Sequence, residues 1–147
     1  MAQAKPKAKE ATVAQLLAKV PDDGLRRDAQ ALLALMQQVT KQEPQLWRGD
    51  IVGFGAYHYV DERGRQGDWC LAGFAPRGGM LALFLHGGWE HQAELLAKLG
   101  KHALRQEILT IKRLDDVSLP VLKRLLAAGY KQARQLAKEE AQQHAGG

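Results

Sequence analysis

The chain contains no asparagine, one serine (Ser118) and one cysteine (Cys70), and none of its apolar runs is longer than the six residues of Met80–Leu85. Each scarcity excludes a class. A lone cysteine cannot close an intrachain disulfide, so nothing points to an oxidising compartment. Such runs fall far short of the ~18 apolar residues that a membrane span needs. The opening MAQAKPKAKE lacks the apolar stretch of a secretory signal, so the expected location is cytoplasmic, with no membrane partner. Ser118 stands where a helix cap is needed and G-x-S-x-G is absent, which leaves a Ser–His–Asp hydrolase without a nucleophile.

The remainder, 147 residues at 46% hydrophobic and 25% charged, has the composition of one globular domain. That domain is expected over residues 12–138, between a flexible basic tail at 1–11 and a frayed tail at 139–147. The net charge is +5, and it is uneven: residues 47–99 hold 5 basic and 6 acidic groups, residues 100–147 hold 9 and 5. Arg124, Lys131 and Lys138 recur every seventh residue, with Arg134 nearby, and would line one helix face. Phosphates could use such a stripe, but no aromatic residues interleave with it, and a solvated helix face explains it equally. A nucleic-acid partner is not expected.

Thr12 and Gln15 have capping-box spacing for a helix to about Val20, and Pro21-Asp22-Asp23-Gly24 breaks it. Leu25, Ala29, Leu32, Met36 and Val39 then form a helical stripe over 25–40. From Ile51 the period changes. IVGFGAYHYV, DWCLAGFA and GMLALFL read as strands of an antiparallel meander, separated by the turn signals DERGRQG and PRGG. A helix over 89–99 stopping at Gly100, a short strand LTIK at 109–112, and a long helix capped by Ser118 complete an α+β fold.

Register decides which side chains share a face. Gly78-Gly79 suits a two-residue turn pairing Arg77 with Met80, and hence Gly73 with Phe84. For the preceding hairpin, the register that sets Tyr59 opposite Trp69 also sets Gly55 opposite Gly73, Phe54 opposite Phe74 and His58 opposite Cys70. One face then carries Val52, Phe54, Ala56, His58, Cys70, Ala72, Phe74, Leu81, Leu83 and Leu85, and is assigned to the core. The other carries Gly53, Gly55, Tyr57, Tyr59, Trp69, Leu71, Gly73, Phe84 and His86: a glycine floor rimmed by aromatics, open to a flat ligand or a partner's side chain. Strand glycines also mark bends, and cross-strand aromatics also stabilise sheets, so sheet packing is the competing explanation.

Catalytic and metal chemistry find little purchase. Cys70 on an apolar face is expected to be an inert thiol, although His58 and Cys70 opposite one another would be the one conceivable dyad. His86, Glu90 and His91 are close in sequence, and with His58 and Cys70 they are the only metal-ligand candidates. Neither set has H-E-x-x-H or C-x-x-C spacing. Gly53-Phe54-Gly55 lacks the third glycine of a dinucleotide fingerprint and does not open a helix.

The run Trp47-Arg48-Gly49-Asp50-Ile51-Val52-Gly53-Phe54-Gly55-Ala56-Tyr57-His58-Tyr59 resembles the signature of the YdhG-like family, bacterial domains of unknown function. Gly67-Asp68-Trp69 with Gly73-Phe74-Ala75-Pro76, then Leu95 to His102, then Leu114-Asp115-Asp116-Val117 with Leu119-Pro120-Val121-Leu122, resemble its later blocks in order. The resemblance implies a small α+β domain with an antiparallel sheet packed on helices. It also brings in iron, since some relatives are described as frataxin-like iron chaperones. Those chaperones rely on an acidic surface, which this basic chain lacks. Family members resembling this chain continue after the histidine with a Lys-Thr-Gly-Lys type loop, where this one reads Ala103-Leu104-Arg105-Gln106. Of that anion-binding region Lys101 carries over.

Three functional readings follow. The first is a non-enzymatic binding domain that takes a small ligand or partner on the face of Trp47, Gly53, Gly55, Tyr57, Tyr59, Trp69, Gly73 and Phe84, with Lys101 nearby. The second is a frataxin-like iron-binding protein. The third is a homodimer or other interaction domain burying the aromatics against a second copy.

Overall fold

A computed structural model describes residues 10–48, 50–105 and 107–146, so residues 1–9 of the expected N-terminal tail lie outside the described residues. The helices are α1 (Glu10–Ala18), α2 (Asp23–Thr40), α3 (Ala93–Leu99) and α4 (Leu119–Gly146), and the strands are β1 (Gln45–Trp47), β2 (Ile51–Phe54), β3 (Tyr57–Val60), β4 (Gln66–Trp69), β5 (Ala72–Arg77), β6 (Met80–Leu85), β7 (Ala103–Arg105) and β8 (Ile108–Ile111). The fold is α+β. Its main sheet is six-stranded, in the order β1-β2-β5-β6-β8-β7, and β3-β4 form a separate two-stranded ribbon. Every pairing is antiparallel. This is two strands and one separation more than the meander expected from sequence.

Local chemistry sets the elements. The Asp22 carboxylate accepts from the backbone N–H groups of Gly24 and Leu25, starting α2 where Pro21 ends the previous turn. Leu25, Ala29, Leu32 and Met36 of α2 are buried as the stripe required. The Ser118 hydroxyl accepts from Val121 N–H at 3.4 Å, the expected cap of α4. Asp28 joins α2 to the segment after β8: one carboxylate oxygen accepts from Arg113 Nε and from Leu114 N–H, both at 3.0 Å. Helices α2 and α4 pack on one sheet face around Val52, Phe54, Ala72, Phe74, Leu81, Leu83 and Leu85. No helix among the described residues is long and apolar enough to cross a membrane.

The β5–β6 hairpin has the register read from its Gly78-Gly79 turn, with Arg77 opposite Met80 and Gly73 opposite Phe84. The preceding one does not. Tyr57, not Tyr59, lies opposite Trp69, His58 opposite Asp68, Gly53 opposite Gly73, and Val52 opposite Phe74. Asp61 causes the slip. Its carboxylate accepts from Arg63 N–H and Arg65 N–H, and its own N–H donates to Arg65 C=O, closing the turn over Asp61–Arg65. A two-residue slip preserves faces, but two breaks do not. The chain bends at Gly55 (φ 72°), and alternation fails from Trp69 to Cys70 and again from Leu71 to Ala72. Trp69 and Cys70 both join an outer cluster with Trp47, Ile51, Ala75 and Phe84, whereas Leu71 and Ala72 both face the core. Cys70 is therefore not beneath the helices, and Ala56 and His58 are exposed rather than in the core.

Helix α4 continues through the residues expected as a frayed tail, and Glu140 within that stretch contacts the sheet through His86. Strand β7 went unforeseen because all three of its residues are exposed and leave no alternating pattern to read.

Candidate functional site

The glycine floor exists, but it is covered. Gly53 and Gly73 face each other across β2 and β5, and both are buried. Trp47, from the edge strand β1, lies over Gly53. A Cβ on Gly53 would come within 2.5 Å of the Trp47 ring and 2.6 Å of the Cys70 Cβ. On Gly73 it would instead meet the Val52 carbonyl oxygen at 2.8 Å and the Ile51 side chain at 3.0 Å. Gly53 makes room for an indole of the same chain, and Trp47, only 2% exposed, is a core residue and not a ligand contact. Its Nε1–H is buried and has no hydrogen-bond partner among the described residues.

What stays open lies at the other end of the face. Tyr57, Trp69, Cys70, Phe84, Leu85, His86 and Glu107 line a cavity of about 80 Å³. Three of the expected aromatics thus meet at one place, brought there by the β3–β4 ribbon and by β6. Trp69 abuts Trp47 edge to face, with ring centroids 5.5 Å apart. The Tyr57 ring stacks on the His86 imidazole at 3.9 Å, and His86 Nε2–H donates to Glu140 Oε1 at 2.8 Å. Burial pushes the Tyr57 hydroxyl up to about 12, helped by the negative charges of Glu140 and Glu107. The cleft is therefore aromatic on its walls and acidic at its rim.

The Cys70 thiol is likewise pushed up to about 12 by burial, so it is a neutral surface of the cleft and not a nucleophile. A thiol reagent at pH 8 should leave native Cys70 unlabelled and modify it fully once the chain is unfolded; rapid labelling of the folded protein would contradict this.

Other sequence candidates fall elsewhere. Gly55 points toward the Tyr130 hydroxyl of α4. Tyr59 lies over Gly67 across the ribbon. Lys101 is exposed on the connection from α3 to β7, where its N–H donates to Asp116 C=O, and it does not line the cleft. The metal candidates do not converge. Glu90 and His91 are exposed on a 3₁₀ turn before α3, Cys70 is buried, and His58 and His86 have separate carboxylate partners. Among the described residues no three His, Cys, Asp or Glu side chains are grouped to hold a metal ion. The donors therefore do not fit the iron that the family resemblance implies.

His58 has its own chemistry. Its Nδ1 lies 3.0 Å from Asp68 Oδ1 and its Nε2 3.0 Å from Gln66 Oε1, so both ring nitrogens face acceptors, as in the imidazolium. The hydrogen bonds that its ring donates to Asp68 and Gln66 raise its pKa above the ordinary 6.5. A raised folded-state value means that the ribbon gains its stabilisation fully below pH 6.5 and loses it as pH rises through the higher folded value. NMR titration of the His58 ring should give a midpoint above 6.5, and Asp68→Asn should lower it; a midpoint at or below 6.5 would contradict the pairing.

Two residues of the site escaped sequence reading. Glu107 sits in the β7–β8 turn, between a strand that was unforeseen and one that was foreseen. Glu140 reaches His86 across 54 residues of chain from a segment expected to fray. No local spacing signals either. Larger hollows of about 220 Å³, beside Leu16, Lys19 and Arg77, and about 380 Å³, beside Lys41 and Gln45, gather none of the expected aromatics. Compared with known proteins, the chain matches no family model, no curated protein and no solved structure.

Proposed function

We propose that this protein is a non-enzymatic cytoplasmic binding module that takes a small ligand, or one side chain of a partner, into the cleft of Tyr57, Trp69 and Phe84. The observation that carries the reading is the convergence of these three aromatics with His86 and Glu107 on one cavity of about 80 Å³. Drug-sized sites run to roughly 300–1,000 Å³, so the occupant is a compact group and not a large cofactor. A binding role, not a catalytic one, is supported by the state of the two nucleophile types present. Cys70 holds its proton, and the Ser118 hydroxyl is engaged as a helix cap. We also propose kinship with the YdhG-like domains, supported by the four ordered sequence blocks and by the antiparallel sheet packed on helices that such kinship implies.

Native mass spectrometry of freshly purified protein tests the reading. The expected result is an adduct of defined mass on the wild type that is absent from a folded Trp69→Ala variant. Thermal melting of the variant checks its fold, and Tyr57→Phe serves as a milder second variant. An adduct retained by folded Trp69→Ala, or a clean apo spectrum for the wild type, would count against the cleft.

A further inference from the structure

We propose that the cleft selects a compact organic cation, an alkylammonium group of the kind borne by choline or by a methylated lysine side chain. The inference rests on the binding-module reading and names its ligand class. The rings of Tyr57, Trp69 and Phe84 line the cleft, and aromatic quadrupoles attract a cation held within about 6 Å of a ring centroid. The rim carries Glu107, and Glu140 stands behind His86. Glu107 is part of the lining itself, and Glu140 reaches the cleft through the His86 ring. No lysine or arginine lines it. Its one basic group, His86, donates to Glu140, which offsets any charge the imidazole carries. In a chain of net charge +5 this is a local reversal of sign.

The sheet already makes the contact in question once. The Arg77 guanidinium lies 5.4 Å from the Phe84 ring centroid, outside the cleft. Size and hydration narrow the class further. About 80 Å³ admits a headgroup of a few heavy atoms. A bare ammonium is strongly hydrated and wants several acceptors, whereas an alkylated one has weakly hydrated methyl groups that suit rings and a neutral thiol. Glu107 provides the single charge complement such a group needs.

The test is a titration of isotopically labelled protein with choline chloride and, separately, with 3,3-dimethylbutan-1-ol, its uncharged isostere, at matched ionic strength. The indole N–H resonance of Trp69 is the reporter, and those of buried Trp47 and Trp89 are internal controls. Choline is expected to shift Trp69 saturably, with the isostere binding roughly tenfold more weakly. Glu107→Gln, at an exposed position, should weaken choline several-fold and leave the isostere unchanged, with a thermal melt checking the fold. Nα-acetyl-trimethyllysine amide separates the sources: tighter binding than choline points to a protein side chain, weaker binding to a free small cation, and either upholds the class. Equal binding of choline and the isostere overturns the cation and leaves the binding module standing. No response of Trp69 to any of these probes overturns the proposal. The module itself then stands or falls on the native adduct, which is read separately.

Discussion

Replacing Trp47 with alanine is expected to remove about 3–5 kcal/mol of folding stability, as large-to-small substitutions of buried aromatics do. Urea unfolding would read this as a lower midpoint with little change in slope. The indole fills the space that Gly53 leaves open and contacts Cys70 and Trp69, so its loss empties the outer cluster along its whole length. A matched pair of milder variants separates packing from polarity. Trp47→Phe keeps a ring and removes a buried N–H that has no partner. Trp89→Phe removes an equally buried indole whose N–H donates to Leu83 C=O at 3.3 Å, and so loses a made hydrogen bond. Trp89→Phe should therefore cost more than Trp47→Phe, by about 1 kcal/mol. The reverse order would show that the Trp47 N–H has a partner, such as a water molecule, in solution.

Gly100→Ala is the second large effect. Gly100 has φ 119° and ψ −153°, a conformation open to glycine alone, and a Cβ there would lie 2.5 Å from the Asp116 carbonyl oxygen. The obstacle is backbone and cannot turn aside. Around it the chain segments before and after the β7–β8 hairpin are tied together: Ser118 N–H donates to Leu99 C=O at 2.7 Å, and Lys101 N–H to Asp116 C=O at 3.1 Å. Alanine must break that tie or strain it, at a cost of about 3 kcal/mol or more. Gly78→Ala, in the β5–β6 turn with nothing within 4 Å of the added carbon, is the control and should cost only about 1 kcal/mol. Equal melting temperatures for the two variants would show that the Gly100 tie is dispensable.

Helices α2 and α4 and the β5–β6 hairpin were legible because local signals carried them: a stripe on α2, a cap at Ser118, and a glycine pair at residues 78 and 79; the capping box read at Thr12 misplaced the first helix, which begins at Glu10. The ribbon was not, because its register depends on the Asp61 carboxylate closing the turn over Asp61–Arg65, which sets Tyr57 and not Tyr59 opposite Trp69. The aromatic face was read only in part: Tyr57, Trp69, Phe84 and His86 share a cleft, whereas Leu71 turns to the core, Gly55 to Tyr130 of α4, and Cys70 joins the outer side. Nothing in the spacing of Gly53 tells whether the space above it holds a ligand or Trp47, since β1 is three residues long and carries no alternating pattern. Tyr57, Trp69 and Phe84 do meet, but the carboxylates that give their cleft its sign come from distant segments, and such convergence is a property of the tertiary fold.

The hydrogen bond from His86 to Glu140 has a practical side. The cleft's stacked imidazole is held by Glu140, near the C-terminal end of α4, so an expression boundary drawn at residue 138 would cut away one carboxylate and free the ring's Nε2. Protein trimmed there should fold, because the buried positions of α4 end at Ala133, yet present a loosened and less acidic pocket. Binding results obtained with shortened and full-length chains would then disagree for a reason rooted in the last helical turns.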